Sequence, residues 1–369
     1  MINLKNLTKI YKTAGQETIA VNDIDLHVPK GKICILLGPS GCGKTTTLKM
    51  VNRLVKPTRG TILINGQDTA HYDTIELRRN IGYVIQQIGL FPNMTVEENI
   101  SVVPKLLGWP AAKIKQRVIE LLEMMTLDAS YLQRYPKELS GGQQQRIGVA
   151  RALAADPPVL LMDEPFGAID PINRQSIQDE FIKMQQTLGK TVLFVSHDID
   201  EAIKLGDKIA LFRQGEIEQY DTPANILASP ASDFVRDFLG ADRTLKRLSL
   251  VQARSVLDTT TPRLSLGMPM ARVKEILAQS RFETPVVLDQ DQKVMGFING
   301  QSLSTSAKTL QDCERLTAQA LPDENLRTVL SRMLNHETDW LPCVDEQGVF
   351  QGYIHLQALT RHLGQEAQS

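Results

Sequence analysis

No apolar run in these 369 residues approaches the roughly 18 that a helix needs to cross a bilayer. Any membrane role must therefore come through a partner. The opening Met1-Ile2-Asn3-Leu4-Lys5 lacks a signal-peptide pattern. Cysteine is scarce: Cys34, Cys42, Cys313 and Cys343 are scattered, in neither a disulfide framework nor a metal-site spacing, which suits a reducing cytoplasm. An excess of either charge is missing too. The 41 basic and 42 acidic residues leave a net charge of −1, so a general nucleic-acid or membrane-surface binder is not expected. Apolar content is an ordinary 42%, and a chain of this length is expected to form two or three domains.

What is present centres on Gly38-Pro39-Ser40-Gly41-Cys42-Gly43-Lys44-Thr45, followed by Thr46. It fits G-x-x-x-x-G-K-[ST], the phosphate-binding P-loop. The apolar run 33–37 before it reads as a buried strand and residues 45–54 after it as a helix, the setting the motif requires. Glycines let backbone N–H groups turn in around phosphate, and the helix N-terminus adds a favourable dipole. Lys44 can then reach the β- and γ-phosphates, and the Thr45 hydroxyl can ligate Mg²⁺.

Residues 2–11 and 24–28 read as strands. Tyr11, the only aromatic ahead of the loop, is either an adenine-stacking face or a half-buried strand tyrosine. Residues 61–64 with Asn65-Gly66 give a hairpin signal, and 81–85 a strand ending in Gln86-Gln87. Thr95 with Glu98 fits a capping box. Ile114, Val118, Leu121, Leu122 and Met125 recur at helical spacing, so residues 88–139 read as a helical insertion in an α/β frame. Leu139-Ser140-Gly141-Gly142-Gln143 then lies just ahead of a helix expected over 146–154, a second place able to hold phosphate. The buried strand 159–162 ends in Asp163-Glu164, where Mg²⁺ sits beside a P-loop and a water can be polarised, although two acids also suit an ordinary strand exit. The strand 191–195 ends in Ser196-His197; the histidine is either a structural hydrogen-bonding residue or a γ-phosphate contact.

In this order and spacing the pieces resemble the ATP-binding-cassette (ABC) ATPases over residues 1–239. The resemblance implies an α/β P-loop ABC ATPase domain over 1–240, with an antiparallel β subdomain and a helical subdomain at about 88–139. It implies ATP and Mg²⁺ as ligands, Tyr11 on adenine, residues 38–46 on the phosphates, and Thr45, Gln86 and Asp163 on the metal. Gln86 fits the Gln loop better than Gln87. Glu164 would be the general base, with His197 as γ-phosphate sensor. Gly167-Ala168-Ile169-Asp170 matches the D-loop. Two cassettes pair head to tail in the family, which implies a homodimer in which Ser140, Gly141, Gly142, Gln143 and Asp170 of one copy reach ATP bound by the other.

The stretch from Ile81 to Pro92 is similar to the ATP-binding subunits of bacterial osmoprotectant importers, which carry glycine betaine, carnitine, choline and related quaternary amines. That implies transmembrane permease subunits as partners, a substrate-binding protein acting indirectly, and a peripheral position on the cytoplasmic face of the inner (plasma) membrane. An importer for another small solute, an amino acid or a polyamine, is the alternative. A soluble ABC protein on nucleic acid or ribosomes is disfavoured by the single cassette and the absence of heptads and basic excess. A nonhydrolytic adenylate-sensing scaffold is disfavoured because the candidate catalytic residues are all present.

After 241–256, which reads as a connector, residues 257–369 hold a weak repeat at an offset of about 57 residues. Pro285-Val286-Val287-Leu288-Asp289 recurs as Pro342-Cys343-Val344-Asp345, each behind an amphipathic helix; Leu326, Val329, Leu330, Met333 and Leu334 are expected on one face of the second. The pattern resembles a tandem α+β pair of CBS (cystathionine-β-synthase-type) domains, at about 257–308 and 309–369. Nucleotide-binding copies continue G-h-h-[ST]-x-x-D. Here the copies read Gly296-Phe297-Ile298-Asn299-Gly300-Gln301-Ser302 and Gly352-Tyr353-Ile354-His355-Leu356-Gln357-Ala358, without the Asp. The tail is therefore expected to dimerise first, with a regulatory ligand (a cyclic dinucleotide or ions) as an added role.

Overall fold

The computed structural model describes residues 1–13, 16–86, 89–167, 169–279, 284–298, 309–310 and 312–365. Gln87 and Ile88, Ala168, and 299–302 of the first tail repeat lie outside the described residues. The chain forms two compact units, Met1–Gly240 and Ala241–Ser369.

A six-stranded sheet organises the first unit, in the order Glu216–Asp221, Lys208–Arg213, Ile33–Leu37, Thr191–Val195, Val159–Asp163, Ile81–Val84. All neighbours are parallel except the edge pair Glu216–Asp221 with Lys208–Arg213. The three central strands Ile33–Leu37, Val159–Asp163 and Thr191–Val195 are buried along their whole length, as parallel strands covered on both faces must be. Their side chains divide by alternation. Ile33, Ile35, Leu37, Leu160, Met162, Val192 and Phe194 enter one core. Cys34, Leu36, Val159, Leu161, Leu193 and Val195 enter the other. The first core is closed by helices including Ala111–Met124 and Gly141–Leu153; the second by an antiparallel sheet of Gln16–Val28, Ile2–Thr13, Arg59–Ile64 and Gln67–Asp68.

The helical stretch follows its periodicity. Ile114, Val118, Leu121, Leu122 and Met125 are all buried, and Thr95 with Glu98 completes the capping box at the start of Val96–Leu106. One boundary differs from expectation. The helix after the LSGGQ stretch is Gly141–Leu153 rather than 146–154, so both glycines lie inside its first turn. Ser140 takes the N-cap, and Gln143 answers it in a capping box, which starts the helix despite two poor helix formers.

In the second unit the connector expected over 241–256 is packed against the tail. Leu248 and Ala253 are fully buried with Leu326, Val329, Met333 and Leu341, and the Ala253 N–H donates to the Glu324 carbonyl at 2.8 Å. Segments of the two repeats are also hydrogen-bonded to each other. Asp258 and Tyr353 exchange backbone hydrogen bonds at 2.8 Å, and Phe297 and Glu314 do so at 2.9 Å. The Tyr353 hydroxyl accepts from the Val286 N–H at 2.7 Å and donates to the Pro262 carbonyl at 3.0 Å. On the second-copy helix Leu326–Asn335, Leu326, Val329 and Met333 are buried as expected, but Leu334 is 66% exposed.

A chain ended at Gly240 is therefore expected to keep the cassette folded, whereas one ended at Val256 carries a segment whose packing partners are gone. In limited proteolysis read by mass spectrometry, the longer fragment should be trimmed back toward Gly240, and full-length protein should resist cleavage there. Protection of 241–256 in the fragment would refute this packing account.

Candidate functional site

Four neighbouring parallel strands bring the site together. Leu36 pairs with Val195, Val195 with Asp163, and Met162 with Val84. The strands therefore end at one level, and Gly38, Ser196, Glu164 and Gln86 leave the sheet along the same carboxyl edge, where open α/β sheets place their ligands.

The P-loop is shaped by crowding. Gly38 has φ 146°, and a Cβ there would lie 2.4 Å from the Phe212 carbonyl oxygen. Gly43 has φ 107°, with the Ala20 carbonyl at the same 2.4 Å. The buried Lys44 ammonium donates to the Gly38 and Pro39 carbonyls at 2.6 and 2.8 Å and lies 3.6 Å from Cys42 Sγ. Its charge is thus held inside the loop's own curl. The helix Lys44–Val51 follows directly.

The Thr45 hydroxyl donates to Asp163 Oδ1 at 2.9 Å. Burial pushes the Asp163 carboxyl above its ordinary pKa, opposed by the Thr45 hydrogen bond and the positive charges of Lys49 and Lys44. A hydroxyl and a buried carboxylate converging beside a phosphate loop suit Mg²⁺, which takes one or two protein oxygens and completes its shell with phosphate and water. Among the described residues no group of three or more His, Cys, Asp or Glu forms a metal cage, and this mode needs none.

Glu164 turns out of its strand with φ 46°, a left-handed conformation uncommon outside glycine. Its N–H donates to the Val195 carbonyl at 3.0 Å. Phe166, packed against Phe181 and Phe194 with ring centroids 6.0 and 5.8 Å away, anchors the turn. Glu164 Oε2 accepts from Gln86 Nε2 at 3.0 Å and lies 3.3 Å from His197 Nδ1. Gln86 is thus joined to Glu164 through its amide nitrogen.

Other expected residues are held elsewhere. Ser140 Oγ accepts from the Gln143 N–H at 3.3 Å, and Gln143 returns its side-chain oxygen to the Ser140 N–H at 2.9 Å while donating to the Tyr131 hydroxyl at 3.0 Å. Tyr11 is 40% exposed, which suits either reading, and Lys9 Nζ sits 4.9 Å from its ring centroid. Asp170 is exposed, and its carbonyl accepts from the Arg174 N–H at 2.9 Å. Sequence reading passed over Asp198 and Glu201. Asp198 caps the helix Ile199–Leu205 by accepting from the Glu201 N–H at 3.1 Å, and D-x-x-E straight after His197 is a capping-box spacing that could have flagged them.

In the second unit a cleft of about 990 Å³ is lined by Asp258, Thr260, Thr261, Asp339, His355 and Thr360, among others. No lysine or arginine is among its described lining residues. Asp258 accepts from the Thr260 N–H at 2.8 Å and the Thr261 hydroxyl at 2.8 Å, with His355 Nε2 3.7 Å away. Burial holds His355 below its ordinary pKa, against the pull of Asp258 and Asp339.

A family model described as ABC transporter matches residues 21–167, and one described as CBS domain matches 319–365. The osmoprotectant import ATP-binding protein OsmV of Salmonella typhimurium is 55% identical over 98% of this chain and 96% of its own length. The chain belongs to the osmoprotectant-type ABC ATP-binding family. The glycine betaine/carnitine/choline transport ATP-binding protein OpuCA of Bacillus subtilis is 45% identical over 96% of this chain and 94% of its own. A dimeric, post-hydrolysis structure of the ATP-binding cassette MJ0796, bound to ADP and Pi, superposes with a TM-score of 0.55 at 36% identity, covering 60% of this chain and 99% of that one. As an ABC-family member with this cassette, the protein is an ATPase. The CBS model matches the second tail repeat, whose helix, strand pair and terminal helix are Leu326–Asn335, Trp340–Val344, Phe350–His355 and Leu356–Gln365. No described helix is long and apolar enough to cross a membrane.

Gly38→Ala should be costly for a geometric reason. The methyl group meets a backbone carbonyl rather than a movable side chain, and the backbone angle is one that L side chains resist, so about 1–3 kcal/mol of stability should be lost. Gly41, whose Cβ would meet nothing within 4 Å, should tolerate alanine better despite its positive φ. Thermal melts and fluorescent-ATP titrations of the two variants check the order.

Proposed function

We propose that this chain hydrolyses ATP to energise import of quaternary-amine osmoprotectants. In this reading it is a homodimer seated on transmembrane permease subunits at the cytoplasmic face of the plasma membrane, with a substrate-binding protein delivering the solute from the other side. The observation that carries the hydrolytic part is the Glu164 carboxylate, held by Gln86 and His197 at the sheet edge that also bears the P-loop. Similarity to osmoprotectant proteins across both units supports the solute class.

Residues 38–46 wrap the phosphates with their N–H groups. Lys44 exchanges the Gly38 and Pro39 carbonyls for β- and γ-phosphate oxygens, and Tyr11 gives its exposed face to adenine. Thr45, Asp163 and Gln86 would hold Mg²⁺, which would supply charge neutralisation at the phosphates. Glu164 Oε2 accepts the proton of the attacking water. His197, on that same oxygen, orients the carboxylate and reaches toward the γ-phosphate. Ser140, Gly141, Gly142 and Gln143 of the second copy offer a capped helix N-terminus to the same phosphate, and Asp170 contacts the partner. Phosphoryl transfer depends on positioning and charge neutralisation, so dividing the donors between copies makes turnover conditional on dimer closure.

For the tail, dimerisation is the base role. Asp258 and Asp339 on the cleft, without a described cationic lining residue, disfavour a polyphosphate nucleotide, and Ala358 stands where ribose-binding copies carry Asp. The same lining disfavours the two phosphates of a cyclic dinucleotide, which leaves ions as the favoured class for a regulatory ligand.

Two measurements test the reading. Glu164→Gln should cut ATP turnover by at least about 100-fold and give an ATP-stable dimer in size-exclusion chromatography; loss of turnover without that dimer contradicts the shared site. With permease subunits and binding protein reconstituted, glycine betaine should stimulate ATP hydrolysis. Stimulation only by an amino acid or a polyamine would instead support the alternative importer.

A further inference from the structure

We propose that Arg174, Gln178, Asp198 and Glu201 form a clamp between two helices that transmits the position of the Asp170 loop to His197. The clamp deepens the site reading above and rests on the roles given there to Asp170 and His197. The helix Pro171–Leu188 starts directly after Ile169-Asp170, and the helix Ile199–Leu205 directly after His197-Asp198. Each of the two loops is therefore rigidly continued by a helix, and the clamp joins those helices next to the loops.

The first rung is Arg174. Its guanidinium donates to the Ile169 carbonyl at 2.9 Å and lies 3.7 Å from Asp198 Oδ2, while its N–H donates to the Asp170 carbonyl at 2.9 Å. Asp198 spends its other oxygen on the Glu201 N–H as a helix cap, and its own N–H donates to Ser196 Oγ at 3.0 Å. One side chain thus holds the loop bearing Asp170 and, through Asp198, the residue adjoining His197.

The second rung lies one helical turn on, where positions i and i+4 share a face. Gln178 Nε2 donates to Glu201 Oε1 at 3.1 Å, and Glu201 Oε2 accepts the Ser196 hydroxyl. Gln178, Glu201 and Ser196 are 5%, 7% and 1% exposed. The Ser196 N–H donates to the Leu36 carbonyl at 3.1 Å, tying the same residue to the strand that enters the P-loop. Apolar side chains of similar volume would fasten two helices at no desolvation cost. A buried carboxylate with both oxygens committed is instead sensitive to small displacements, and the residues it holds flank His197. Movement of the Asp170 loop on meeting a second copy is therefore passed to His197, which sits on the catalytic oxygen of Glu164. Arg174, Gln178, Asp198 and Glu201 are positioning residues and touch no reacting atom.

The test uses the purified full chain. Arg174→Ala should lower kcat about tenfold with KM for ATP within about twofold. In a Glu164→Gln background it should leave ATP-dependent dimer formation unchanged. Arg174→Lys, which keeps the charge, should recover much of kcat. Asp198→Asn keeps an N-cap acceptor and removes only the ionic partner, so it serves if the alanine variant does not fold, and it should show the same split. The double variant Arg174→Ala/Asp198→Asn should be no slower than the slower single variant, as expected for residues acting as a unit. Unchanged kcat in Arg174→Ala while His197→Ala is inactive overturns the clamp alone. Losses that multiply, or KM and dimer formation failing in step with kcat, also overturn it. Full turnover in His197→Ala would instead remove the site reading on which the clamp acts.

Discussion

Four adjacent parallel strands that stop at the same level are the constraint on which everything else in the cassette depends. Parallel pairing sets the register strand by strand: Leu36 with Val195, Val195 with Asp163, Met162 with Val84. A slip of one residue would turn each side chain to the opposite face, and here both faces are packed cores with different partners. The apolar alternation that keeps the sheet in register therefore also fixes where Lys44, Asp163, Glu164, His197 and Gln86 emerge. Core packing supplies the precision that the site needs, and few additional residues have to be spent on it.

Most of this was legible in the sequence because the signals were local and dense. Ile33–Leu37, Val159–Asp163 and Thr191–Val195 announce themselves as apolar runs, and the P-loop, Glu164 and Ser196-His197 directly follow them. The Thr95–Glu98 cap and the Ile114–Met125 periodicity are likewise contained within a few turns of helix. What escaped was long-range. Arg174 and Gln178 meet Asp198 and Glu201 only after two helices pack, and no local pattern reports that meeting. The start of the helix Gly141–Leu153 was missed because glycine argues against helix, while Ser140 and Gln143 together outweigh it.

The tail shows the same limit more sharply. A repeat offset suggests two units in tandem, one after the other. Isolated bridges join them instead: Asp258 pairs with Tyr353, and Glu314 reaches back to Phe297. Tyr353 makes the point in one residue. It is wholly buried, its hydroxyl bonds Val286 and Pro262 of the first repeat, and its ring packs on Trp340 and Phe350 of the second, with centroids 5.7 and 5.0 Å apart. Such a pair folds as one body, so residues 241–256 belong with it through Leu248 and Ala253. Repeats mark kinship between segments, whereas buried partners mark where a folding unit ends.

The groups assigned to chemistry are engaged by one another or by their own loops. Lys44 rests on the carbonyls of its own loop, Thr45 on Asp163, Glu164 on Gln86 and His197, and Ser140 on Gln143. Groups that act in the site thereby also hold one another in place. A hydrogen bond exchanged for another is nearly neutral while a buried one left unmade costs about 1–3 kcal/mol, so in the proposed reaction phosphate oxygens replace the Gly38 and Pro39 carbonyls on the buried Lys44. For Lys44, a ligand that did not reach its ammonium would leave a buried donor without an acceptor, so the shape of the loop and recognition of the β- and γ-phosphates come from one physical requirement.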